Sequence, residues 1–384
     1  MRRSVTRKVM IGMVTATGSV VLAACGQSTT PPEAGSTATQ GDVTIAQGTV
    51  TGTIWVANED GGTLSAIDAQ TSEVVATIEG VDSPHNVQAS PDGSTVWAVS
   101  GHKNALVAID AASLTLTGTA ATGAGPAHVV VSPDGTQTYV TNSGEDTLSG
   151  YRSADLEPLG QVELSAGPHG LRPTADGTTL VIANTAEGTI DVVDTATLSV
   201  TATIPVGDSP VQVAVAGDGQ YAYVSLAGDS AVAKVDLASR AVVATVAVPT
   251  APVQLYLTAD GTKLLSADQG TNDDPGDTVS VIDPADMSLT ASIETGAGPH
   301  GVVIDPTGTL AWVTNLYDDT VSVLDLTTNE AVATIPVGDK PNGISFSPQT
   351  PSWSAPKTVE ITVPDYADSG ETTDEHAEDG EKHD

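Results

Sequence analysis

Cysteine, aromatic residues and positive charge are all scarce in this chain of 384 residues. It has one cysteine, Cys25, and one phenylalanine, Phe346, and aromatic residues make up 3% of it. A single cysteine excludes an intramolecular disulfide and a metal site built on several thiolates. The shortage of aromatic side chains argues against a sugar-stacking site and against an interface rich in aromatic hot spots.

Basic residues are outnumbered by acidic ones. The chain has 13 Lys and Arg against 48 Asp and Glu, a formal charge of −35. Such a charge repels phosphate backbones, so we expect no nucleic-acid partner. It favours cations or cationic partners, and a solvated acidic surface that keeps the protein soluble is the alternative explanation.

Long apolar runs are also missing, because the one apolar stretch, at 9–21, is too short to span a bilayer. It follows a basic start and precedes Leu22-Ala23-Ala24-Cys25, which predicts an export signal over 1–24. The tetrapeptide resembles a bacterial lipobox, which implies a lipidated Cys25 that anchors the protein to the membrane. An ordinary secretory signal with a chance cysteine is the alternative. Residues 25–51 then form a flexible linker.

The far end of the chain, 365–384, is acidic. It contains nine carboxylates, one lysine and two histidines, His376 and His383. Such a segment cannot bury enough apolar surface to order itself, so we expect disorder. It would act either as a loose collector of cations or as a solubilising tail.

What the chain has in abundance is a repeat with a period of 42 residues. Its first marker is the last residue of a strand-like tetrapeptide, at Asn58, Ser100, Asn142, Asn184, Leu226, Asp268 and Asn315. Its second marker is a proline that opens an apolar run, at Pro84, Pro126, Pro168, Pro210, Pro252, Pro299 and Pro341. Both markers advance by 42 residues, with one shared step of 47. A period of about 40 to 50 residues with strand-like segments indicates a β-propeller.

Each repeat contains four short segments that favour β-strands. They are rich in Val, Ile and Thr and are bounded by Gly, Asp, Asn or Pro. No segment shows a sustained helical period, so we expect almost no helix. Seven units predict an all-β fold, a seven-bladed β-propeller of four-stranded blades, over residues 52–348.

The two ends of the repeat region predict how the ring closes. The first unit, 53–78, has three strands and lacks a proline-led one. The last proline-led strand, 341–347, is not followed by the three other strands of a unit. We expect the C-terminal strand to become the innermost strand of a blade whose other three strands are N-terminal, which removes open sheet edges. Residues 349–364, with a strand-like 359–362, and residues 43–45 are candidates for an outer strand or cap.

The tetrapeptides Tyr-Val-Thr-Asn at 139–142 and Trp-Val-Thr-Asn at 312–315, with Ser-Pro-Asp-Gly at 90–93 and 132–135, carry a family resemblance. The region 52–348 resembles the YVTN-type propellers of bacterial extracytoplasmic proteins, also called YncE-like or surface-layer propellers. The resemblance implies the fold and an extracytoplasmic location, in the periplasm or cell envelope. It says little about function, because members of the family differ in what they do.

One face of the predicted disk carries the candidate ligand residues. The loop that opens a blade and the loop between its second and third strands lie on the same face. All five histidines of the repeat region fall there, namely His85, His102, His128, His169 and His300. So do the carboxylates of Glu59, Asp60, Asp318 and Asp319, and the insertion that carries Asp273, Asp274 and Asp277.

Two interpretations of these histidines stay open. Histidine is a frequent residue of the strand-opening turn in this family, where it packs and hydrogen-bonds. Alternatively, imidazole and carboxylate ligands form a site for Zn²⁺ or Cu²⁺. In that case we expect His85, His102 and His128 to converge, completed by Asn86 or by Glu59 and Asp60. His169 and His300 would meet only across the channel.

Two further ligand sites are suggested more weakly. The insertion at 270–277 is dense in oxygen ligands, as a Ca²⁺ loop would be, but it lacks the spacing of an EF-hand. Arg172 is a candidate for binding an anionic substrate.

Three functions compete. The first is a non-enzymatic, lipid-anchored binding protein, whose metal-binding version resembles periplasmic propellers that deliver zinc to transporters. A transporter or another envelope protein would then be its partner, and we expect a monomer. The second is a metal-dependent hydrolase of lactonase type, which would activate water on the same face. The third is a scaffold for protein contacts at the cell surface.

Overall fold

The computed structural model describes residues 50–353 and 355–367. The predicted signal, Cys25, the strand-like 43–45 and the tail histidines His376 and His383 lie outside these residues. The described part contains 29 β-strands and no α-helix, as the sequence predicts. Within it, no helix has the length and apolar character needed to cross a membrane.

The strands form seven sheets, which we call blades 1 to 7. Blade 1 contains β1 (Thr53–Asn58), β2 (Thr63–Asp68) and β3 (Glu73–Glu79). Blade 2 contains β4 (Val87–Ala89), β5 (Thr95–Ser100), β6 (Ala105–Asp110) and β7 (Leu116–Ala121). Blade 3 contains β8 (Pro126–Val131), β9 (Gln137–Asn142), β10 (Thr147–Arg152) and β11 (Pro158–Glu163). Blade 4 contains β12 (Pro168–Pro173), β13 (Thr179–Asn184), β14 (Thr189–Asp194) and β15 (Ser199–Pro205).

The remaining blades repeat the pattern. Blade 5 contains β16 (Pro210–Val215), β17 (Tyr221–Leu226), β18 (Ala231–Asp236) and β19 (Ala241–Ala247). Blade 6 contains β20 (Pro252–Leu257), β21 (Leu264–Gly270), β22 (Pro275–Asp283) and β23 (Ser288–Glu294). Blade 7 contains β24 (Pro299–Ile304), β25 (Leu310–Asn315), β26 (Thr320–Asp325) and β27 (Glu330–Pro336). The chain then returns to blade 1 with β28 (Pro341–Ser347) and β29 (Lys357–Glu360).

The ring closes in blade 1 as the sequence predicts. The C-terminal strand β28 pairs antiparallel with β1, from Thr53 opposite Ser347 to Asn58 opposite Pro341. Each innermost strand packs against the innermost strand of the next blade, and β28 in turn packs against β4. These seven innermost strands therefore surround a central channel.

A segment after the last blade fastens the outside of blade 1. Strand β29 adds to the outer strand β3 in parallel, with Lys357 opposite Ala76 and Glu360 opposite Glu79. Upstream of it, the ring of Trp353 packs edge-on against Trp55 with 6.5 Å between ring centroids. The edge of blade 1, which would otherwise be unpaired, is covered in this way.

Where the tetrapeptide ends in asparagine, that side chain stabilises the hairpin from inside. Asn142 is fully buried, and its Nδ2 donates to the hydroxyls of Thr147 and Ser149 on the next strand, both at 2.9 Å. Asn58 and Asn315 bond in the same way to the hydroxyls five and seven residues later. The repeated tetrapeptide is therefore a packing signature of the fold.

The five-residue insertion lengthens the hairpin between β21 and β22. Thr271 and Asp274 close it with reciprocal backbone hydrogen bonds of 3.0 and 3.2 Å. The hydrophobic core of blade 6 continues beneath it, because Leu264, Leu265 and Ala267 are fully buried. The insertion therefore changes the surface and leaves the core of the blade intact.

Candidate metal centre

A bulge at the start of the innermost strands directs side chains toward the channel. In blade 4, Pro168 pairs with Asn184 and Leu171 with Ile182, so His169 and Gly170 together face a single residue of β13. The same register shift follows the opening proline in blades 1, 3, 5, 6 and 7. Bulges of this kind re-aim a side chain.

Three histidines from consecutive blades meet at this level of the channel. They are His85 of blade 2, His128 of blade 3 and His169 of blade 4, and their ligand atoms all lie within 4.8 Å of one another. The ring centroids are 4.6 Å apart for His128 and His169, and 5.2 Å apart for His85 and His169. We call these three residues the histidine cluster.

The separation of two nitrogens in the cluster matches a metal-ligand pair. Nε2 of His85 lies 3.2 Å from Nε2 of His169. Two nitrogens bound to a tetrahedral zinc at about 2.0 Å would be roughly 3.3 Å apart. The pair therefore needs almost no movement to share one ion.

Backbone contacts fix the ring of His169. Its Nδ1 donates to the carbonyl oxygen of Val211 in blade 5 at 3.1 Å, which leaves the Nε2 lone pair facing the cluster. Gly170 allows this approach, because a Cβ atom there would lie 2.3 Å from Oε1 of Gln212 and 2.7 Å from the Val211 oxygen. A carbonyl behind a ligating histidine is the usual outer contact of a metal site.

Blade 1 supplies the polar contacts of His85. The amide of Asn342 donates from Nδ2 to Nδ1 of His85 at 3.0 Å and to Oε2 of Glu59 at 2.9 Å. Oε1 of Glu59 lies 3.6 Å from the same Nδ1, and Lys340 approaches the carboxylate at 3.4 Å. A carboxylate is thus in place behind this ring as well.

His128 is the member of the cluster without polar partners. It is fully buried, and neither ring nitrogen hydrogen-bonds within the described part of the chain. Thr141 sets its distance from His169, since its hydroxyl accepts from the backbone N–H of His128 and donates to the carbonyl of His169. Unpaired buried polar atoms are costly, which marks this position for a ligand.

His300 of blade 7 lies beside the cluster, with its ring centroid 6.3 Å from that of His85. Its Nδ1 donates to Oε1 of Gln269, which in turn donates from Nε2 to the hydroxyl of Tyr317. Its Nε2 is buried without a partner among the described residues. His300 is therefore oriented in the same manner as His169.

Burial keeps the imidazole rings of His128, His169 and His300 uncharged. Desolvation, followed by the charge of neighbouring histidines, lowers the pKa of His169 to about 3 and that of His300 to about 3. The same causes place the pKa of His128 well below its usual range. Burial alone would raise the pKa of Glu59, but His85, Asn342 and Lys340 hold it well below normal. At neutral pH the site therefore offers imidazole lone pairs next to a carboxylate.

The predicted grouping of the histidines is wrong in two respects. His102 does not join His85 and His128, because it lies on an exposed loop with its Nδ1 3.1 Å from Asp82. His169 takes its place, since blade 4 directly follows blade 3 around the ring. Blade 3 carries the small Ala127 where blades 2 and 4 carry histidine, so His85 and His169 can reach each other.

Several carboxylates of the same face hold loops together. Asp318 accepts from the backbone N–H of Ala297 at 2.6 Å, and Asp319 accepts from that of Lys340 at 2.8 Å. Asp60 is exposed and pairs with the Lys340 ammonium at 3.3 Å. These three side chains stabilise the junctions between blades.

The other predicted ligands lie apart from the cluster. Asp273, Asp274 and Asp277 are exposed on the long hairpin, and the histidine cluster is the only group of three such ligands that comes together within 50–353 and 355–367. Asn86 is buried, and its Oδ1 accepts from the N–H of Val129 in blade 3. Arg172 lies further along β12 than His169 and lines a separate cavity.

Two contacts of the site were not predicted, those of Asn342 and Gln269. Gln269 follows the tetrapeptide of blade 6 and bonds to His300 of blade 7, just as Glu59 follows that of blade 1 and approaches His85 of blade 2. In both pairs the residue after the tetrapeptide reaches the strand-opening position of the next blade. That spacing is visible in the sequence and could have identified Gln269.

Residues 92–263 match the family model of the YNCE-like beta-propeller. No curated protein matches the chain. Among solved structures it is similar to the hydrazine synthase of Kuenenia stuttgartiensis, with 24% identity over 69% of this chain and 90% of that one, and a TM-score of 0.62. A putative 6-phosphogluconolactonase from Bacteroides fragilis is 20% identical over 78% and 98% of the two chains, with a TM-score of 0.66.

A third structure, of a functionally unknown protein from Desulfotomaculum acetoxidans, is 14% identical over 79% of this chain and 100% of that one, with a TM-score of 0.69. At these identities the likenesses show the fold and do not assign an activity. The chain is a seven-bladed β-propeller, as its ring of seven four-stranded blades shows, and the family match over residues 92–263 makes it YncE-like.

Proposed function

We propose that this protein binds a divalent transition metal, Zn²⁺ or Cu²⁺, through His85, His128 and His169, and that it acts as a binding protein. The observation that carries the proposal is the convergence of three imidazole ligand atoms within 4.8 Å on consecutive blades. Neutral imidazole suits both ions. His300 is the fourth candidate ligand.

The contacts behind the cluster support this assignment. The tautomer of His169 needs no change, because its Nδ1–H already bonds to a carbonyl and its Nε2 accepts from Nε2 of His85 inside the cluster. In His85 the ring proton would move from Nε2 to Nδ1 and face Glu59, while Asn342 donates to Glu59 alone. Because the lowered pKa values of His128 and His169 keep both rings neutral at pH 7, a metal ion would displace no proton from either of them.

The location proposed for this activity is outside the cytoplasmic membrane, with the protein anchored by lipid at Cys25. The predicted signal and lipobox-like tetrapeptide at 22–25 support it. An exported metal-binding protein would exchange its ion with a transporter or another envelope protein. Mass spectrometry of the protein from its native membrane fraction tests this point, because an unmodified Cys25 would contradict it.

Calorimetric titration of the full chain with Zn²⁺ and Cu²⁺ tests metal binding. We expect one tight site per chain, which the double variant His85→Ala/His128→Ala loses. His102→Ala is the matched control, because it removes an exposed histidine from the same face. His376→Ala/His383→Ala controls for the tail. Unchanged titration in the cluster variant, or a loss that follows the tail variant, would contradict the proposal.

A metal-dependent hydrolase of lactonase type is the second candidate. Three histidines leave a coordination position for water, as in catalytic zinc sites. One structure similar in fold is that of a putative 6-phosphogluconolactonase. Turnover of a lactone panel by the zinc-loaded protein, abolished in His169→Ala and retained in His102→Ala, would support it. Tight metal binding without turnover of any lactone would favour the binding protein.

A further inference from the structure

Arg172 occupies an unusual position for a cation in this acidic protein. It is the fifth residue of the innermost strand β12, and it lines a cavity of about 190 Å³ formed with blades 5 and 6. Leu171 before it is fully buried in the core between blades, so Arg172 points to the opposite side of the strand. The cavity is distinct from the histidine cluster at the opening of the strands.

The guanidinium of Arg172 has no carboxylate partner among the described residues. Its one hydrogen bond runs from Nη1 to the backbone oxygen of the preceding residue, Leu171, at 3.1 Å. Arg152, by contrast, pairs with Asp155 at 2.7 Å, and Lys340 lies 3.4 Å from Glu59 and 3.3 Å from Asp60. The sequence holds 48 acidic residues, yet none of those within 50–353 and 355–367 forms an ion pair with this guanidinium.

Arg172 is half-buried, and a charge taken partly out of water without a partner is unfavourable, so its retention calls for a reason. Burial lowers the pKa of Arg172, yet a guanidinium stays protonated at neutral pH. It therefore remains a positive charge with free N–H donors facing a cavity. This arrangement fits a ligand that carries the missing negative charge.

The opposite wall of the cavity offers a second donor. Tyr256 of blade 6 lines it, and its hydroxyl bonds to no other residue in the described part of the chain. Between them blade 5 contributes only the small Ala214 and Val215, which leaves the space open. We propose that Arg172 and Tyr256 form a binding site for a small oxyanion, a carboxylate or a phosphate, within the channel.

The size and shape of the site define the ligand class. A guanidinium presents two parallel N–H donors that match two oxygens of a carboxylate or phosphate. The volume far exceeds the ~10–15 Å³ that one water needs, but it is below the ~300 Å³ typical of sites for drug-sized molecules. The site therefore suits a small anion or the anionic end of a larger molecule.

Calorimetric titration of the full chain, freed of metal on a chelating resin, with inorganic phosphate and separately with acetate tests this inference. We expect one of the two anions to bind at one site per chain. Arg172→Gln should weaken binding by roughly tenfold to a hundredfold, because it removes charged hydrogen bonds. Arg172→Lys keeps the charge without the fork and should give an intermediate affinity. Arg240→Gln, which removes an exposed arginine, is the matched control and should bind as the original protein does.

Thermal unfolding without anion gives an independent readout. If Arg172 is retained for a ligand, Arg172→Gln should unfold at the same or a higher temperature, because an unpaired, half-buried charge is removed. Binding of neither anion at millimolar concentration, equal affinity in Arg172→Gln, or a lower unfolding temperature of that variant would overturn the inference. Titration with Zn²⁺ or Cu²⁺ tests the histidine cluster separately.

Discussion

Replacing Asp268 with asparagine should raise the free energy of unfolding, and the gain should increase with pH. Asp268 ends the tetrapeptide of blade 6 and is fully buried at a position where four other blades have asparagine. Hydroxyls of Ser266 and Ser280 donate to it at 2.9 and 2.6 Å. Burial nevertheless outweighs these bonds and raises the pKa of Asp268 to about 7.

The sign and the size of the effect follow from this shift. The pKa of Asp268 is 3.8 in the unfolded chain and about 7 in the folded protein. Between pH 3.8 and about pH 7, the folded protein therefore keeps a proton on Asp268 that the unfolded chain has released. Stability therefore falls by about 1.4 kcal/mol per pH unit across that window and is level above it. The full loss approaches about 4 kcal/mol, an upper value because the blade can relax around the charge.

An asparagine at 268 cannot ionise, so the variant escapes this loss. Its amide would donate to hydroxyls of the next strand, as Asn142 does with Thr147 and Ser149. We expect the stability advantage of Asp268→Asn to grow by about 2 to 3 kcal/mol between pH 5 and pH 8. Titrations of other groups cancel in the difference between the two proteins.

Urea unfolding of both proteins at several pH values measures this difference. The matched control is Asp92→Asn, whose exposed carboxyl has its pKa lowered, so its stability difference should stay constant between pH 5 and pH 8. A constant difference for Asp268→Asn over the same range would refute the reasoning. So would a decrease with pH.

Three further substitutions test the site and the fold. Glu59→Gln should weaken Zn²⁺ binding by about tenfold to a hundredfold in a chelator competition, because the carboxylate behind His85 is lost. Gly170→Ala should lower the free energy of unfolding in urea by about 1 to 3 kcal/mol, since the new Cβ clashes with blade 5 and displaces His169. Trp353→Ala should lower it by about 2 kcal/mol, because the packing on Trp55 is lost.

Each of these expectations has a contrary result. Equal zinc affinity in Glu59→Gln and the original protein would remove Glu59 from the site, and Asp60→Gln, which changes an exposed carboxylate nearby, is its control. A Gly170→Ala protein of unchanged stability would mean that blade 5 can move away at no cost. An unaltered Trp353→Ala protein would show that the segment after β28 does not fasten blade 1.

The sequence predicts the architecture well because its signals are local and repeated. Asn142 and its equivalents must sit at the end of a strand, beside hydroxyls on the next one, and that requirement recurs in most blades. The closure by β28 follows from counting strands, and it is confirmed by the pairing of Thr53 with Ser347.

The candidate site is less predictable because it depends on distances between blades. The sequence places the histidines on one face, but the grouping of His102 with His85 fails. His102 lies on the exposed loop between β5 and β6, whereas His85 precedes the innermost strand β4, so the two side chains of blade 2 point in different directions. The approach of His85 to His169 requires the small Ala127 between them, and no periodic pattern signals that. Asn342 follows the opening proline of β28, as His169 and His300 follow theirs, so its position was visible in the repeat. It contacts His85 only because β28 closes the ring.

The closure of the ring also sets the order in which the parts of the candidate site come together during synthesis. The three clustered histidines lie within residues 85–169, whereas the bond from Asn342 to Glu59 joins residues 283 positions apart. A chain emerging from its N-terminus would gather its imidazoles early, but it would acquire the carboxylate contact only after its last blade strand has been added. The site would thus be complete only after the whole propeller has been synthesised.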